Sequence, residues 1–138
     1  MTKLLSCSEI KELDSKTIEN KEITSLDLMY DAVLAVEKWI INNYKKNQKF
    51  SIICGNGNNG ADGILLSCKL MLRNYKIKTY YINEVGSPEF NHQFNYAKKI
   101  ELNLEKIDFN NLKLIEFSGV IIDCIFGVGL NREITGKY

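Results

Sequence analysis

The chain has 138 residues, enough for one compact domain, and its 45% apolar content suits a globular protein with a real core. Its 18 Lys and Arg nearly cancel 17 Asp and Glu, which argues against a broad electrostatic footprint for nucleic acid or an anionic membrane. Four cysteines without C-x-x-C or zinc-like spacing, no signal-peptide pattern and no run of the roughly 20 apolar residues of a membrane span point to a cytoplasmic chain with free thiols.

In chain order, Ser6 and Glu9 have capping-box spacing, and Ile10, Leu13, Thr17 and Ile18 then recur at helical spacing. A second start at Thr24-Ser25-Leu26-Asp27 precedes the apolar stripe Leu28, Met29, Ala32, Val33, Val36, Trp39 and Ile40. Phe50 to Cys54 is a short strand that runs into a glycine loop, and Ile64, Leu65, Cys68, Met71 and Leu72 mark the next helix. Ile77 to Ile82 is a second strand, Pro88 opens a helix reaching about Ile100, Leu104 to Ile107 is a third strand and Val120 to Ile125 a fourth. Strands alternating with helices after two leading helices predict an α/β fold: a Rossmann-like, doubly wound parallel sheet in three α/β/α layers. Trp39 and the pair Tyr80-Tyr81 read as packing residues, and His92 as a solvated surface residue.

Gly55-Asn56-Gly57-Asn58-Asn59-Gly60 satisfies G-x-G-x-x-G after a strand and before a helix, with Glu84 near the place of a ribose-binding acid. Glycines let backbone approach a ligand, and a helix N-terminus offers N–H groups to an anion, so a phosphate-bearing molecule is expected here. Three features depart from a plain dinucleotide fingerprint. Two helices come before the first strand, Asn58 and Asn59 are both amides, and Asp62 follows at once, placed in the first helical turn. Amide oxygens and a carboxylate suit a hard cation or ligand hydroxyls.

Asp123 interrupts an apolar strand and leads into Phe126-Gly127-Val128-Gly129-Leu130-Asn131-Arg132. A carboxylate in a buried run is costly unless it is paired, coordinates something, or accepts N–H groups of the following loop. Its place at the carboxyl end of a strand is where open α/β sheets bind ligands, and Arg132 suits a phosphate. Cys124, by alternation, turns to the opposite face and into the core.

Together, Gly55 to Gly63 and Asp123 to Arg132 resemble the paired motifs G-x-G-N-N-G-G-D-G and D-x-x-F-G-T-G-L-x-R of the YjeF N-terminal domain family, the NAD(P)H-hydrate epimerases. Glu9-Ile10-Lys11-Glu12-Leu13-Asp14 and Ser25 to Met29 are similar to the family's opening helices, so the likeness covers residues 1–138 as a single domain. The resemblance implies an isomerase that interconverts the R and S epimers of hydrated NADH and NADPH, with a fused or separate NAD(P)H-hydrate dehydratase as companion, a homodimeric assembly and a potassium ion as cofactor. It implies substrate contacts from Asn58, Asn59, Gly60, Ala61 and Asp62, from Gly127, Val128, Gly129, Leu130, Asn131, Arg132 and Glu133 opposite, and from Tyr138. Asn59 and Asp123 are the implied metal ligands, and Asp123 is also the candidate for proton transfer.

Ala61 stands where the family has glycine, which disfavours a positive φ, and Val128 stands in place of threonine. The family's further D-x-P-S-G strand does not occur in the chain, so the fold is expected to be C-terminally incomplete with an open edge beside Val120 to Ile125. The alternative from another class is a non-catalytic nucleotide- or RNA-binding scaffold, as in related domains of mRNA-decapping enhancers. A plain NAD-dependent dehydrogenase is a more distant one.

Overall fold

The computed structural model describes residues 4–110, 117–130 and 133–135. Helix α1 (Cys7–Lys21) opens with a complete capping box: the Ser6 hydroxyl accepts from the Glu9 N–H while the Glu9 carboxylate accepts from the Ser6 N–H. Helix α2 (Ser25–Asn43) repeats the device with Thr24 and Asp27. Each box satisfies N–H groups that a helix start otherwise leaves unpaired.

The apolar stripes behave differently in the two helices. Helix α1 buries no residue, and Leu13 is exposed. Helix α2 buries Met29, Val33, Glu37 and Ile40, a line at helical spacing that includes one acid. Trp39, read as a packing residue, is 57% exposed, its ring meeting the edge of Tyr44 at 5.8 Å. It sits one residue before Ile40, turned away from that buried line.

The rest of the fold alternates β1 (Lys49–Cys54), α3 (Asn58–Leu72), β2 (Lys76–Tyr81), α4 (Pro88–Lys99), β3 (Leu104–Lys106) and β4 (Val120–Cys124). All strands pair in parallel in the order β3-β2-β1-β4. The Rossmann-like parallel sheet expected from the sequence is present, with strand limits within one residue of those expected. Asn58 to Gly63 are helical, so only 55–57 of the glycine motif form a loop. Asp62 accordingly lies in the second turn of α3, not the first as its position after Gly60 suggests.

One core cluster joins Met29, Val33 and Ile40 of α2, Ile64 and Leu70 of α3, and Phe90 and Phe94 of α4 to Phe50, Ile52 and Cys54 of β1 and to Cys124. These three helices therefore share one face of the sheet. On the other face Tyr80, Ile82 and Ile107 gather Ile53, Phe109 and Ile125, and no described helix contributes to them. Strand β4 is hydrogen-bonded to β1 alone among the described strands, and Ile121 on it is 54% exposed.

The strand order sets the site. From β1 the chain moves through α3 to β2 on one side, while β4 joins β1 on the other. The loops leaving the carboxyl ends of β1 and β4 therefore diverge and leave a crevice, the switch point at which open α/β sheets take ligands.

Candidate functional site

A cavity of about 690 Å³ occupies that crevice, within the usual size of small-molecule sites. Gly55 to Asn59 and Asp62 line one side, Ile125 to Leu130 the other, Ile82 lies between, and Lys11 and Asp14 reach in from α1.

The two loops are pinned to each other. The Gly55 N–H donates to the Cys124 carbonyl at 3.0 Å, and a Cβ on Gly55 would lie 2.1 Å from the Ile125 carbonyl oxygen. The Asn59 amide donates to the Phe126 carbonyl at 2.9 Å, spanning from α3 to the second loop. Asn56 holds the first loop from behind: its side chain donates to the Val85 carbonyl, and its own carbonyl accepts from Ser87. Glycine is required at Gly60 because a Cβ there would lie 1.9 Å from the Gly55 carbonyl oxygen.

Helix α3 begins at Gly57 with no side-chain cap. Its first helical bond runs from the Ala61 N–H to the Gly57 carbonyl, so the amides of Asn58, Asn59 and Gly60 precede any helical partner. An uncapped helix start at the floor of a crevice suits an anionic group such as a phosphate.

Asp62 differs from the other lining residues. It is half-buried, has no hydrogen bond or ion pair among the described residues, and titrates at about 6, raised first by burial and second by the charge of Asp14. Below it the Cys124 thiol is pushed up to about 12 by burial and by Asp62 and Asp123, and Cys54 is pushed up by burial, so both stay protonated.

Of the residues expected from the sequence, Asn58, Asn59, Asp62, Gly127, Val128, Gly129 and Leu130 meet in this cavity. Gly60 and Ala61 are buried behind it. Ala61 is fully covered and its N–H is taken by Gly57, so a direct ligand contact from Ala61 finds no support. Ala61 is also free of backbone strain, since it is helical and absent from the positive-φ residues. Asp123 does not line the cavity. It alternates onto the exposed side of β4, and its Oδ1 accepts from the Ile125 N–H at 2.9 Å, the local turn that a strand-end aspartate readily makes. Glu133 is exposed and is not one of the lining residues, and Asn131, Arg132 and Tyr138 lie outside the described residues.

Glu84, placed by the sequence near a ribose position, instead pairs with Lys98 at 3.2 Å outside the cavity. His92 is exposed and Cys124 buried, both as expected. Lys11 and Asp14 are site residues that sequence reasoning misses. Their signal is the string Glu9 to Asp14, whose likeness to the family's opening helix carries no chemistry of its own. Among the described residues no group of three or more His, Cys, Asp or Glu is arranged for a metal, no helix is long and apolar enough to cross a membrane, and the cysteines are free thiols.

Residues 25–138 match the family described as YjeF-related protein N-terminus. The NAD(P)H-hydrate epimerase of Lentilactobacillus buchneri is 31% identical over 141 residues, covering 100% of this chain and 64% of that protein. The NAD(P)H-hydrate epimerase of Anaerococcus prevotii is 31% identical over 134 residues, covering 92% of the chain and 61% of the relative. The chain thus spans a little under two thirds of the length of these curated relatives. The crystal structure of the yeast protein ynu0 shares the fold, with a TM-score of 0.71 at 20% identity over 97% of this chain and 60% of that one.

Proposed function

The chain belongs to the family of YjeF-related protein N-termini, and we propose that it interconverts the R and S epimers of hydrated NADH and NADPH, the isomerase reaction named for its relatives. The observation that carries this reading is the crevice at the β1/β4 switch point, which pairs an uncapped helix start with a half-buried carboxylate in one cavity. A hydrated nicotinamide nucleotide needs both: N–H groups for its phosphates and a proton-transferring group for its ring.

In this reading Asn58, Asn59 and Gly60 receive the nucleotide on one side, while Gly127 to Glu133 hold it from the other and Tyr138 adds a further contact. Asn59 and Asp123 would hold a potassium ion. The donors fit in kind. Asn59 Nδ2 is engaged by the Phe126 carbonyl, which leaves the amide oxygen for a cation, and Asp123 keeps one oxygen beyond the one that Ile125 uses. Bound there, the ion would supply a fixed positive charge held by hard oxygen ligands. A cytoplasmic setting, in agreement with the free thiols, a homodimer and a companion dehydratase that consumes one epimer complete the proposal, with residues 1–138 acting as one domain.

The test is direct. A sample of one separated epimer is incubated with the protein and with potassium chloride, and the approach to the mixture is followed by chromatography. Interconversion faster than the spontaneous rate supports the proposal. No acceleration, with tight binding of short RNA in its place, favours a scaffold role.

A further inference from the structure

The carboxyl group of Asp62 is held half-buried in the cavity wall. It has no hydrogen bond and no ion pair among the described residues. Among the described residues, the charged side chains that share the cavity with it are Lys11 and Asp14, both from α1, and Asp14 repels a charge on Asp62. Below it, Cys124 of β4 is a neutral thiol, and Asp123 beyond it turns to the other side of the strand. A carboxylate kept only to bind a cation would be expected to sit among partners that favour its charge. This one is kept where proton gain and loss are both easy.

We propose that Asp62, sharing the cavity with Asp14 and Lys11, is the group that transfers the proton in epimerisation. The inference rests on the hydrated-nucleotide reading and assigns its chemistry to a residue other than Asp123. The Asp62 carboxylate takes the proton of the C6 hydroxyl, and the released pair forms the C6 carbonyl as the C6–N1 bond breaks. The pair of that bond stays on N1, which takes the proton from the Asp62 carboxyl. Rotation of the freed formyl group about C5–C6 presents its other face, and the reverse steps close the ring as the other epimer. One proton moves from oxygen to nitrogen and back, with no oxidant or reductant. With a pKa of about 6, about one molecule in ten carries the acid form at pH 7, so both forms are at hand near neutrality. Asp14 is then a positioning residue that acts through Asp62.

Epimer exchange by the 138-residue chain, measured with hydrated NADH from pH 5 to 9, tests this. For the unaltered protein kcat should rise with a midpoint near 6. Asp62→Asn should lower kcat by about a hundredfold or more with little change in KM, while melting no lower than the unaltered protein. Asp14→Asn should move the acidic midpoint downward, because a like charge has gone. If Asp62→Asn keeps a third or more of kcat, or if Asp14→Asn leaves the midpoint in place, the assignment to Asp62 is overturned while the epimerase reading stands. If the unaltered chain exchanges nothing, the epimerase reading of these 138 residues is wrong and the assignment falls with it. The Asp14→Asn profile decides the matter even where Asp62→Asn does not fold.

Discussion

Asp62 also leaves a mark on stability. Its proton affinity is higher in the folded chain than in the unfolded one, about 6 against 3.8. The folded state therefore binds more protons between those values, and stability falls as pH rises through that window. Above pH 6 the penalty is complete, and at pH 4 it has largely gone. Asp62→Asn removes it, so the variant should be more stable by about 2 kcal/mol at pH 7.5 and show no gain at pH 4. Urea denaturation at the two pH values measures the difference, and an equal effect at both would rule out titration of Asp62 as its cause. A second contrast concerns glycines. Gly60→Ala drives a Cβ into the Gly55 carbonyl, whereas a Cβ on Gly129 meets nothing within 4 Å. The first should cost about 2 kcal/mol or more and the second less than about 0.5, as read by thermal melting.

At the scale of elements, α2 and α3 are joined by a clamp that no periodicity reveals. The buried Glu37 accepts from Arg73 Nε at 2.7 Å, with Lys69 Nζ at 3.7 Å. Lys69 also lies over the Tyr30 ring at 4.1 Å. Arg73 is about half-exposed and can turn to water, but Glu37 cannot. Arg73→Ala should therefore cost more than Glu37→Gln, because it leaves the buried Glu37 carboxylate with only the more distant Lys69, whereas Glu37→Gln removes that buried charge. Chemical denaturation of the two variants ranks them. Helix α1 is the opposite case. It buries nothing, so its capping box carries much of its local stability. Ser6→Ala should fray α1 by about 1 kcal/mol, seen as faster amide exchange over residues 7–21, without lowering global stability. Since Lys11 and Asp14 stand on this helix and line the cavity, a bound nucleotide should slow the same exchange.

For the whole molecule the consequence is a site assembled from separate stretches of chain: α1, the loop and helix start after β1, Ile82 after β2, and the loop after β4. NADPH shares the phosphates of the hydrated nucleotide, and at a hundred times its Kd it should stabilise the protein by about 2.7 kcal/mol. Thermal melting in its presence checks this, and an unchanged midpoint at saturating concentration would tell against a nucleotide site. The proposed homodimer is settled by mass in dilute salt. The exposed Tyr30, Val36 and Trp39 of α2 are apolar surface that an interface could cover.

The local residues alone determined much of this. Capping boxes at Ser6 and Thr24, β-branched runs bounded by turns, and Pro88 at a helix start act within a few residues, so the elements and their parallel pairing were legible. So was the concentration of ligand chemistry in two loops, because glycine, asparagine and aspartate there make demands that ordinary turns do not. Tertiary structure decided the rest. Only packing could show that Glu37 belongs to the buried line of α2 and Trp39 does not, since spacing treats both as neighbours of one stripe. Only the strand order could bring Lys11 and Asp14 of α1 to the crevice formed by the loops after β1 and β4. The proton affinity of Asp62 comes from burial and from a like charge distant in sequence, neither of which a reading along the chain can sum. The β4 pleat turns Asp123 toward its own loop, and it is the three-dimensional surroundings that leave Asp62 facing the cavity without a partner among the described residues.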